Sequence, residues 1–150
     1  MNDDGFGVFD ERRWRPIVWT TSLEVGVEVI DSGHRQLIDL YNTIRDASQL
    51  KDRAWTGVLL ERLGNATVAH FQDEETLMSG IDYPLAAEHQ REHHKLLEEY
   101  AHQVDEWRDR HNSAELLCRF LYGWLLGHIV ALDIELGQAI RDASRSNCDA

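Results

Sequence analysis

The chain has 150 residues, 28% charged and 43% hydrophobic, which suits one globular domain with a core of ordinary size and excludes a disordered polymer. A formal net charge of -12 argues against nucleic acid or an anionic membrane surface as a partner, since either would be repelled. The two cysteines, Cys118 and Cys148, form no C-x-x-C unit, which speaks against a disulfide framework or a thiolate zinc site.

Residues 1–18 read as a flexible N-terminal tail and arm, 19–145 as the folded bundle and 146–150 as a C-terminal tail. The opening MNDDGFGVFDERR lacks the basic start and apolar middle of a secretory signal. No apolar run reads as long enough to span a bilayer, so a cytoplasmic location is the default expectation. From Trp14 to Ile30 the chain is rich in β-branched residues and tryptophan, and predicts an extended arm that lays its apolar residues across helices.

Asp31 is a good N-cap for a first helix running to about Ala47, with His34, Leu37, Ile38, Tyr41 and Ile44 on one face. A second helix is expected from about Asp52 to Met78, where the stripe Leu59, Leu60, Leu63, Ala66 and Thr67 continues into His70 and Glu74. Pro84 suits the first turn of a third helix ending near Arg110, its inner face holding His89, His93, Leu96, Tyr100, Val104 and Trp107. Asn112 with Glu115 resembles a capping box and opens a fourth helix carrying Leu117, Leu121, Trp124, Leu125, His128, Leu132, Leu136 and Ile140. Short connections force sequential antiparallel neighbours. The expected fold is all-α, an up-down-up-down antiparallel four-helix bundle with an extended N-terminal arm.

The inner faces carry histidine or carboxylate where leucine is the default. His70 with Glu74, and His89 with His93, stand four residues apart, so each pair points two ligating groups at one spot. His34 and His128 add one imidazole each from the first and fourth helices. Buried and unpartnered, these groups would be costly, and a metal removes that cost. Each i,i+4 pair alone is a weak motif, and a lone inward histidine is usually a satisfied core residue; five on facing stripes are harder to explain so. Asp133 follows His128 by five residues, a step that turns it away from the histidine face, so helical geometry alone does not select it. His94, His102 and His111 read as surface groups, the run DEWRDR from Asp105 to Arg110 as a solvated face, and Cys118 as a buried small residue.

The stretches EVGVEVIDSGH, HFQDEETLM, YPLAAEHQREHH and YGWLLGHIVALD resemble the hemerythrin family in its bacterial branch, from about Trp19 to Leu136. That resemblance implies two iron ions in the bundle core, joined by an oxo or hydroxo bridge. It assigns His89, His93 and His128 to one iron, His34 and His70 to the other, and Glu74 and Asp133 to both. One iron would keep an open position for dioxygen. Apolar Trp124, Leu125, Ile129 and Phe71 would line the space around it.

The function so implied is reversible dioxygen binding for delivery, storage or sensing, without enzymatic turnover. Related carboxylate-rich oxygenases need Glu-x-x-His units in two helices, which this chain lacks, so the histidine-rich site is expected to hold oxygen rather than split it. The alternatives are a sensor domain for oxygen, redox state or nitric oxide, and a di-iron oxidase or peroxidase-like enzyme. A signalling or oxygen-consuming protein is the expected partner, with neither nucleic acid nor membrane.

Overall fold

A computed structural model of the protein describes residues 15–148. The expected tail at residues 1–14, Trp14 included, lies outside the described residues. Four helical rods are present, and among the described residues there is no strand. They are α1 (Glu28–Gln49), α2 (Arg53–Gly80), α3 (Ala86–Arg108), and a last rod built from α4 (Ala114–His128), a π-helical turn (Ile129–Asp133) and α5 (Ile134–Cys148). Consecutive rods pack side by side and α1 closes against α4, which is the four-helix bundle the apolar stripes predict.

The helix starts depart from the capping signals in two places. α1 begins three residues before Asp31, whose carboxylate reaches back to the preceding loop and accepts from Val25 N–H at 2.8 Å and Gly26 N–H at 3.1 Å. Asp31 is thus a cap for the loop's backbone, sitting in a first turn where negative charge also suits the helix dipole. At the fourth helix the cap is Ser113, whose Oγ accepts from Leu116 N–H, while the Asn112 side chain bonds back to Gln103. Asp52 does cap α2, accepting from Trp55 N–H at 3.0 Å.

α3 is shorter than expected at both ends. Pro84 lies in the turn before it, and Arg110 adopts φ +63°, a left-handed conformation that cannot continue a helix.

The arm is pinned rather than loose where it is described. Ile17 exchanges two hydrogen bonds of 2.9 Å with the Asn42 side chain, and Tyr41 donates to the Arg15 carbonyl. Ile17 and Leu23 are buried against the bundle, with a short 3-10 turn at Thr21–Leu23 between arm and α1.

Two apolar layers hold the rods together. The larger contains Tyr41, Ile44, Leu59, Leu63, Trp107, Leu117 and Leu121; the smaller, nearer the α2–α3 turn, contains Val25, Ile30, Met78, Tyr83 and Leu136. Full burial of each such side chain contributes about 1.5–3 kcal/mol.

Contrary to the sequence reading, the rod Ala114–Cys148 is long and apolar enough by composition to cross a bilayer, with a mean hydropathy of 1.4 over its most apolar window. Its apolar side is spent on the core: Leu117, Leu121, Leu125 and Leu136 are all buried within the bundle.

Candidate metal centre

Between those layers lies a polar island. His34, His70, Glu74, His89, His93, His128 and Asp133 are all buried, none more than 6% exposed. They come from every rod: His34 from α1, His70 and Glu74 from α2, His89 and His93 from α3, His128 and Asp133 from the last. The structure brings all seven together.

The two carboxylates lie at the centre. Glu74 Oε1 is 2.7 Å from His70 Nε2, and Oε2 is 3.1 Å from His89 Nε2 and 2.8 Å from His93 Nε2. Asp133 Oδ2 is 2.6 Å from His34 Nε2 and 2.9 Å from His128 Nε2, while Oδ1 is 3.2 Å from His89 Nε2. Each carboxylate therefore turns one oxygen to His34 and His70 and the other toward α3. His128 sits between the two sides. Its Nε2 approaches the oxygen shared with His34, yet among the imidazoles its ring lies closest to His93, with centroids 5.4 Å apart.

The π turn explains how Asp133 arrives. In a regular helix a five-residue step turns a side chain off the face; hydrogen bonds from i to i+5 widen the turn and bring residue 133 back beneath residue 128. No apolar pattern announces such a turn, which is why periodicity missed Asp133. Gly33 makes a second accommodation. A Cβ there would stand 2.4 Å from His70 Nδ1, so only glycine lets α1 approach the α2 histidine so closely.

Charge in this island is strongly coupled. Burial opposes a proton on His70 and His89, but Asp133 and Glu74 outweigh it and raise both to about 9. His128 is likewise raised against its burial by Asp133 and Glu74. For His34 burial wins, and its pKa is lowered despite Asp133. Burial pushes Glu74 and Asp133 up, and Asp133 adds to this at Glu74, yet the surrounding imidazoles hold both well below the carboxylate range. Both carboxylates are anions in a dry core.

Seven side chains cannot satisfy one another here. His34 Nδ1, both nitrogens of His70 and His128, Glu74 Oε1 and Asp133 Oδ1 are buried without a well-formed hydrogen bond. Unpaired buried polar atoms of this kind are rare in folded proteins and expensive. Two overlapping sets have ligand atoms within 4.8 Å of one another: His34, His70, Glu74, His128 and Asp133, and Glu74, His89, His93 and Asp133. Imidazole and carboxylate suit iron among other metals, and the carboxylates common to both sets could span two ions. The donor set fits a metal pair.

A family model described as the hemerythrin HHE cation binding domain matches residues 25–136. The chain belongs to the hemerythrin family. It is 33% identical over 129 residues to the bacteriohemerythrin of Pseudomonas paraeruginosa, covering 83% of this chain and 82% of that one. To hemerythrin subunit 1 of Golfingia vulgaris it is 30% identical, covering 80% and 90%. A crystal structure of wild-type hemerythrin shares its fold at a TM-score of 0.76 and 27% identity, covering 84% of this chain and 98% of that chain. The seven clustered residues, His34 to Asp133, all fall within the matched residues 25–136.

Beside the cluster is a cavity of about 10 Å³, room for one water-sized guest, lined by Leu37, Thr67, Phe71, Trp124, Leu125 and His128. Phe71, Trp124 and Leu125 meet there, while nothing is described of the Ile129 side chain. Leu37 and Thr67 were read only as core stripe. Thr67 spends its hydroxyl on the Leu63 carbonyl at 2.7 Å, leaving its methyl for the cavity. The one Glu-x-x-His unit in α3, Glu99 with His102, is exposed and takes no part.

Glu75 was missed. Its Oε1 lies 3.1 Å from His93 Nδ1, on the far side of that ring from Glu74. Next to a ligand-type carboxylate on a helix, it reads in sequence as an ordinary solvated charge.

Proposed function

We propose that this chain binds dioxygen reversibly at a non-haem di-iron centre, serving oxygen delivery, storage or sensing rather than catalysis. The observation that carries the reading is the buried set of five imidazoles and two carboxylates with unpaired ligand atoms, in a member of the hemerythrin family. When bound, a pair of ferrous ions supplies two electrons to dioxygen and takes them back on release.

The protein's part is to hold, space and shield. Glu74 and Asp133 would span the pair, because each presents one oxygen to the His34 and His70 side and the other to the α3 side. His34 and His70 would hold one ion, and His89 and His93 the other. We place His128 with His89 and His93, following the family pattern and the proximity of its ring to His93. Five imidazoles against two carboxylates make the site a poorer stabiliser of high oxidation states than a carboxylate-rich one. The cavity formed by Leu37, Phe71, Trp124 and Leu125 would admit a diatomic gas beside His128 while excluding bulk water, which slows loss of the reduced state.

Iron-loaded protein, reduced without air and then exposed to it, should gain a visible charge-transfer band that disappears when oxygen is removed. Two irons per chain with no such reversible band would end this reading. Steady consumption of a reductant under oxygen would instead make it an oxidase.

A further inference from the structure

One imidazole of the cluster is held on three sides by a single helix. His93 Nε2 lies 2.8 Å from Glu74 Oε2, and its Nδ1 lies 3.1 Å from Glu75 Oε1. The Phe71 ring stacks on the same imidazole, with centroids 3.8 Å apart and planes 4° from parallel. Phe71, Glu74 and Glu75 stand at i, i+3 and i+4 on α2, so they share the side that faces α3.

Three other imidazoles differ: Nδ1 of His34, His70 and His128 has no hydrogen-bond partner. A carboxylate only accepts, so His93 donates from Nδ1 to Glu75, and Nε2, which faces Glu74, is the nitrogen that would give up its proton and turn its lone pair to a metal. A carboxylate on the outer nitrogen fixes ring orientation and makes the inner nitrogen a stronger donor.

We propose that Glu75 is a positioning residue that locks the tautomer and plane of His93, and so makes the iron held by His93 the more firmly bound and more easily oxidised of the two. This rests on the di-iron reading above. Glu75 is 35% exposed at its side chain, so replacing it removes a charge without opening a hole in the core. Without that charge Nε2 donates less, and the ferrous state of the ion gains relative to the ferric.

The test uses the full chain loaded with iron, as wild type, Glu75→Gln and Glu75→Ala. Competition with a chelator measures the affinity for each iron, and spectroelectrochemistry measures the reduction potential. Glu75→Ala should weaken one of the two irons by about 10- to 100-fold and raise the potential. Glu75→Gln keeps an acceptor oxygen without the charge and should fall between; being near-isosteric, it also keeps the test decisive if the alanine variant folds poorly. A purely structural contact would shift melting but leave the potential in place. Wild-type affinities and potential in both variants would overturn the proposal. A wild type that never takes up two irons overturns the functional reading itself, and this inference with it.

Discussion

The two ends of the bundle solve the problem of a core in opposite ways. Toward the α1–α2 turn, Tyr41, Ile44, Leu59, Leu63, Trp107 and Leu117 fill the space with apolar groups that need nothing further. Polar atoms there find partners inside the chain: Tyr41 donates to the Arg15 carbonyl, and Arg53 donates to the Trp107 carbonyl while stacking on its ring. Toward the α2–α3 turn, before the smaller apolar layer closes the bundle, seven polar side chains replace the leucines and leave several atoms unpaired. The first region is complete as folded; the second is complete only with a ligand. Stability and function are thus separated along the same four rods.

Chelation should break that comparison most visibly. If metal is present at about 1,000 times its dissociation constant, its removal costs about 4 kcal/mol, or roughly 10 °C in melting temperature for a chain of this size. Leu63→Ala, at the self-sufficient end, should cost about 2–5 kcal/mol with or without metal. Calorimetry of both proteins in both states checks the pair. Equal melting of metal-free and metal-loaded wild type would remove the distinction between the ends.

Inserting one alanine after Ala131 should come next. A six-residue step from His128 exceeds what the π turn absorbs and carries Asp133 off the cluster face. Iron content should fall well below two per chain while circular dichroism stays helical.

Gly33→Ala forces its new methyl against the His70 ring and should cost about 1–3 kcal/mol. Its spectral signature, unlike that of Leu63→Ala, should appear in the metal bands, because the displaced group is a ligand.

The smallest effect is a proton count. His70 and His89, raised to about 9, carry protons at pH 7.5 in the metal-free protein and must lose them to ligate. Metal uptake in weak buffer should therefore acidify the solution, and less so as the starting pH passes 9.

Much of this was legible in the residues. Period-3.6 stripes gave four helices, and polar groups interrupting those stripes at His34, His70, Glu74, His89, His93 and His128 marked the site. Asp133 could be placed only through the family resemblance, because a π turn leaves no trace in an apolar pattern. Asp31 and Asn112 carried the chemistry of capping, but a side chain's type does not say which backbone it will cap. Glu75 escaped because its role depends on what α3 places across from it, and no single-helix pattern contains that.

The π turn also divides the last rod into two halves that run on different rulers. Positions counted down from Leu117 keep phase as far as His128; beyond Asp133 the count starts afresh, one step late. A chimera that joins this rod to the closing segment of a regular bundle must therefore drop one position at the turn, or Leu136 and everything after it will face the wrong way.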